Sequence, residues 1–153
     1  MNLKVLSVIS KNIFYMLKKT YKNPCSIKGR SSRKEYTVFL LSYFIVFYCL
    51  YFLTLQEIHV VITILTFLFL LITAVVSFCL NIRRLHDINI SGWWHLFYII
   101  ITSLIYFYFV GKDDGFSIRT KVIEYGSFAL MEMFLIFTKG TQGANRYGEP
   151  PQH

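Results

Sequence analysis

Four apolar runs of transmembrane length, separated by short polar segments, constrain this chain more than anything else in it. Thr37–Leu55 is nineteen residues, Ile58–Leu80 twenty-three, Trp93–Val110 eighteen and Val122–Thr138 seventeen. At ~1.5 Å per residue, nineteen helical residues reach about 29 Å, close to the ~30 Å hydrocarbon thickness of a bilayer. A soluble core of this size does not need such runs. It also carries more charge than the 16% Asp, Glu, Lys and Arg found here. The pattern predicts an all-α integral membrane protein with four transmembrane helices in antiparallel hairpins. Gln56-Glu57 is the only strong polar break between the first two runs, so they must turn back tightly, with Glu57 and His59 at the tip. Asp113-Asp114-Gly115 marks a turn between the last two. Glu124 and Glu132 make the fourth run the weakest.

Residues 1–22 precede this domain. Over residues 3 to 22, Lys4, Ser7, Lys11, Lys18 and Lys22 fall on one helical face, and Leu6, Ile9, Ile13, Met16 and Leu17 on the other. Val8 and Tyr15 blur the separation. A basic amphipathic helix of this kind lies in the membrane interface, apolar face down. Lys11 interrupts the apolar run and no small-residue cleavage site follows, which argues against a signal peptide. Asn23-Pro24 ends the helix. The transmembrane domain is then read as 23–150, with 139–153 as a polar tail.

Helix starts are signalled locally. Ser32 and Glu35 have capping-box spacing ahead of the first run. Ser91 is placed to cap the third, followed by Gly92 and by Trp93-Trp94, where an aromatic belt is expected.

The net charge of +8 sets orientation. Nine Lys and Arg fall between Lys4 and Lys34, Arg83 and Arg84 follow the second run, and Lys139 and Arg146 follow the fourth. The positive-inside rule places both termini and the Asn81–Gly92 segment in the cytoplasm. Nucleic acid is not an expected partner, because no basic-aromatic patch stands clear of the apolar runs. The three cysteines, Cys25, Cys49 and Cys79, have neither metal spacing nor an even disulfide count.

Four motifs occur in order: Gly29-Arg30-Ser31-Ser32-Arg33-Lys34-Glu35-Tyr36, Arg83-Arg84-Leu85-His86-Asp87, Ser91-Gly92-Trp93-Trp94 and Gly143-Ala144-Asn145-Arg146-Tyr147-Gly148. Together, from about Ile27 to Pro150, they resemble the bacterial inner-membrane family of unknown function number 805, the YhaH/YhaI-like proteins. The chain departs from that pattern at Lys139-Gly140, where members read Pro-Gly, and at Ala144, where they read proline. The resemblance implies a multi-pass inner-membrane protein and implies no activity.

Under this topology Arg30, Arg33, Arg83, Arg84, Asp87, Asn145 and Arg146 share one compartment. Arginine presents a planar fork of donors suited to phosphate or carboxylate. An anionic lipid headgroup or a membrane protein partner is therefore one reading of the cluster. Helix orientation and local pairing is the other, since Arg83 and Asp87 are four residues apart. His86-Asp87 does not make a metal site: adjacent helical residues point ~100° apart, and no second His or Cys pair supports coordination. No cofactor is implied, and no nucleophile, phosphate-loop or zinc signature occurs. The expectation is a non-enzymatic protein whose basic cytoplasmic face binds lipid or a partner. The alternative is a homo-oligomeric transporter or channel for protons or small solutes using Glu132, whose burial in a membrane must be compensated. A third reading is an enzyme acting on a lipid headgroup at the arginines.

Overall fold

The computed structural model describes residues 3–55, 60–110 and 118–151. The expected hairpin tip at Glu57 and His59 and the Asp113-Asp114-Gly115 turn lie outside the described residues. Five helices follow in order: α1 Leu3–Lys22, α2 Arg33–Leu55, α3 Val60–Asp87, α4 Trp93–Val110 and α5 Ile118–Phe137.

Among the described residues, α2, α3 and α4 are long and apolar enough to cross a membrane. The sequence reading expected four such spans. The fourth run falls short because α5 carries Arg119, Lys121, Glu124 and Glu132 within its twenty residues. The three apolar helices show hydrophobic side chains outward, among them Ile45, Phe52, Leu68, Ile72, Leu104 and Phe107. Outward-facing apolar surface costs nothing in lipid, where tails are as apolar as leucine.

The interior lies at one end of the helices. Tyr36, Phe39 and Leu40 of α2 pack with Val76, Leu80 and Leu85 of α3 and Leu135 of α5. Charge is buried there too: Arg84 has no exposed surface, and Arg30, Arg83, Glu35, Asp87 and Glu132 are all buried. Polarity therefore faces inward, and this alters the expected end of the second run. α3 continues seven residues past Leu80, to Asp87, because Asn81, Arg83, Arg84 and Asp87 turn into the protein.

α3 then stops in a Schellman turn. Ile90 N–H donates to Leu85 O and Asn89 N–H to His86 O, with Asn89 at φ 65° in the left-handed region that asparagine tolerates. α4 starts at Trp93, and the N–H groups of Trp94 and His95 bond back to the carbonyls of Ser91 and Gly92. Gly92 allows α4 to start against α3, since a Cβ there would sit 2.6 Å from Ile82 Cγ2. Trp93 and Trp94 are strongly exposed.

At the start of α2, Ser32 Oγ accepts from Glu35 N–H at 3.2 Å, half of the expected capping box. The Glu35 carboxylate turns instead to α1, accepting from Thr20 Oγ1 at 3.1 Å and standing 3.3 Å from Lys19 Nζ. This contact moors the C-terminal part of α1. The N-terminal part keeps Val5, Val8, Ile9, Ile13 and Phe14 exposed.

Candidate functional site

The end of the helix cluster that buries charge holds two polar assemblies. The first ties together three segments distant in sequence. Asp87 stands between two arginines. Arg30 Nε donates to Asp87 Oδ1 at 3.0 Å, and Arg84 Nη1 donates to Asp87 Oδ2. Arg84 then reaches the open end of α5, donating from Nε to Leu135 O at 2.8 Å and from Nη2 to Thr138 O. The last carbonyls of a helix have no intrahelical partner, and a cation there also meets the negative end of the helix dipole. Arg84 is thus the C-terminal cap of α5, supplied by α3.

Arg30 performs the same service for the segment after α5. Its Nη1 donates to Gly143 O at 2.7 Å and Gly148 O at 3.2 Å, and its Nη2 to Thr141 O at 2.6 Å. Thr141 N–H donates to Asp87 O at 2.8 Å, and Asn145 Nδ2 to His86 O at 2.9 Å. Asn145 and Gly148 exchange backbone bonds, which closes a tight turn. Arg146 donates to Asn89 O and lies 4.8 Å over the Tyr147 ring, and Tyr147 stacks on His86 at 3.8 Å. Five of the sequence-predicted residues, Arg30, Arg84, Asp87, Asn145 and Arg146, therefore bond to the chain itself. His86 and Asp87 diverge to separate partners.

Arg33 and Arg83 differ from these. Arg83 is buried, its Nε and Nη2 have no hydrogen-bond partner among the described residues, and its carbonyl accepts from Ser31 N–H. Arg33 is exposed next to Lys34, and both line two clefts. One, about 370 Å³, is shared with Lys139 and the Arg30–Asp87 pair. The other, about 530 Å³, runs between α1 and the α2–α5 pair over Ile9, Ile13, Met16, Val38 and Phe137.

The second assembly draws one residue from each of α2 to α5. Glu132 lies 2.5 Å from Tyr36 Oη, which lies 2.7 Å from Asn81 Oδ1, and Asn81 Nδ2 lies 3.3 Å from His95 Nε2. Tyr36 has one hydroxyl proton for two neighbours. Given to Asn81 Oδ1, it leaves the amide nitrogen facing His95 Nε2, which accepts. Glu132 then supplies the proton of its own bond to Tyr36, and His95 carries its proton on Nδ1. All four bonding groups sit near helix ends, Glu132 about 8 Å along the axis from the end of α5. The sequence marked Glu132 and missed its partners. Asn81, one residue past the second apolar run, and His95, just inside the third, were the available signal. Tyr36 is one tyrosine among eleven and gave none.

An all-helical chain with outward apolar faces and inward charge is an integral membrane protein. The chain belongs to the family described as protein of unknown function (DUF805), which it matches over residues 24–149. It is 31% identical over 131 residues to inner membrane protein YhaI of Escherichia coli K12, covering 86% of this chain and 90% of that protein. The same values hold for inner membrane protein YhaI of Escherichia coli O157:H7. No solved structure matches. Apolar helices and inner-membrane relatives together make this an inner-membrane protein, in a family whose description names no activity.

Proposed function

We propose that the protein is a non-enzymatic inner-membrane protein that holds anionic phospholipid at its cytoplasmic face, in the cleft between α1 and the α2–α5 pair. α5 is the fourth membrane helix in this reading. It is about 30 Å long, and Tyr125, Leu130, Met133 and Phe137 give it an apolar outer face while Thr120 and Glu132 are buried. The four helices then run as antiparallel hairpins, with both termini and the α3–α4 turn in the cytoplasm. α1 lies in the interface, with exposed Lys11, Lys18 and Lys22 toward the headgroups.

One observation carries the lipid assignment: Arg33 and Lys34 are exposed at the edge of a cleft whose floor is apolar. An acyl chain fits the floor and a phosphate fits the two cations. Arg30, Arg84 and Asp87 are committed to one another and to backbone carbonyls, so the headgroup falls to the residues left over.

Each Lys or Arg near an anionic surface contributes about 1 kcal/mol, so reversing two should cut lipid occupancy at least ~tenfold. The test is native mass spectrometry of gently solubilised protein. Anionic phospholipid should be retained by the natural sequence and lost in Arg33→Glu/Lys34→Glu. Equal retention in both would remove the assignment. A stoichiometric protein, lost in the variant, would give the cleft to a protein partner instead.

A further inference from the structure

The Glu132–Tyr36–Asn81–His95 chain ends on an atom that bonds to nothing among the described residues. His95 is 6% exposed, and its Nδ1 has no hydrogen-bond partner among those residues. Three residues on, Tyr98 Oη is also buried, with no hydrogen-bond partner among the described residues. Residues three apart share a helix face, and the His95 and Tyr98 rings lie nearly parallel, 10° apart in plane with centroids 6.5 Å apart. Both side chains line a cavity of about 460 Å³ among α2, α3, α4 and α5, walled by Leu40, Phe78, Phe128 and Met131. With the Tyr36 proton given to Asn81 Oδ1, His95 Nδ1–H is a donor, and the Tyr98 hydroxyl can donate beside it.

A buried donor without an acceptor costs about 1–3 kcal/mol. Two in one cavity describe the ligand that would satisfy them. It presents an acceptor oxygen. It is uncharged, because no Lys or Arg among the described residues lines the cavity and Glu132, the carboxyl on its wall, is bonded to Tyr36. Its body is apolar, to match walls made of hydrocarbon and aromatic rings, and it arrives from the bilayer. The volume lies within the ~300–1,000 Å³ typical of small-molecule sites.

We propose that this cavity binds a neutral, carbonyl-bearing lipophile whose oxygen accepts from His95 Nδ1–H and Tyr98 Oη–H. Two membrane constituents share that chemistry, a quinone ring and the ester carbonyl of an uncharged glyceride. The site is separate from the α1 cleft, with which it shares no lining residue.

The test is calorimetric titration of the full-length protein in detergent with two probes, a short-chain alkyl benzoquinone and dioctanoylglycerol. One saturating site is expected for one of them. Tyr98→Phe deletes a single oxygen from a residue outside the four-membered chain and should weaken that site about five- to tenfold, the worth of one buried hydrogen bond. His95→Phe, which also breaks the chain, should abolish it. Saturation by the quinone with loss in Tyr98→Phe identifies the ring as ligand, and the same result with the glyceride identifies the ester. Saturation by neither probe, or equal affinity in Tyr98→Phe, overturns the proposal.

Discussion

Replacing Asp87 with alanine is expected to lower stability by about 3–5 kcal/mol, the usual loss when one partner leaves a buried ion pair. The physical reason is specific to this site. Asp87 is the only carboxylate paired to Arg30 and Arg84 among the described residues, and all three are buried. Without it, two like charges face each other with no counter-charge and little water. The change also loosens the hold of Arg30 on Thr141 and Gly143 and of Arg84 on the end of α5, since Asp87 fixes both guanidinium planes. Asp87→Asn keeps an acceptor oxygen and should lose less. Thermal unfolding in detergent checks this, with Leu104→Ala, on an exposed apolar face, as the control that should shift little.

The second large effect is expected from Gly140→Ala, a single added methyl group. The Cβ would lie 2.0 Å from Asp87 Oδ2 and 2.6 Å from its Cγ. A free carboxylate could swing away from such an intrusion. This one is pinned by a guanidinium on each side, so either the pair or the 139–148 segment must move. Overpacking of this kind costs about 1–3 kcal/mol. The same unfolding measurement should show the loss, together with faster proteolysis after Lys139. Gly143→Ala is a useful contrast: no atom lies within 4 Å of a Cβ there, and only its φ of +78° opposes the change.

Much of the architecture was legible because hydropathy and end signals agree. α1 runs over Leu3–Lys22 and α4 over Trp93–Val110, the stretches read from the sequence. Ser32 sits ahead of α2 and accepts from Glu35 N–H as its spacing suggested. The end of α3 was misjudged for a physical reason. Hydropathy treats Asn81, Arg83, Arg84 and Asp87 as leaving the membrane, whereas the helix carries them on and hides them from both lipid and water. Five of the seven candidate ligand-binding residues, Arg30, Arg84, Asp87, Asn145 and Arg146, lie at one end of the helices and bond to the chain itself. Their chemistry was not legible. Whether an arginine meets a phosphate or the carbonyl of Leu135 depends on where α5 ends in space, and nothing near Arg84 in sequence records it. The Tyr36–Asn81–His95 connection was hidden likewise, because its members lie on three helices and none is charged in the arrangement found.

Charge is turned inward at one end of the helices, the end we propose to be cytoplasmic, and the residues after α5 fold back onto the start of α2 and the end of α3. The most direct test is a topology reporter fused after His153, read beside one fused between Asn89 and Ser91. Cytoplasmic signal is expected from both, because Arg30 and Asp87 hold residues 141–148 on the side where α3 ends. Periplasmic signal from the His153 fusion with cytoplasmic signal from the other would contradict it. The 141–148 segment would then lie across the membrane from Asp87, and neither the α5 cap nor the four-helix arrangement would survive.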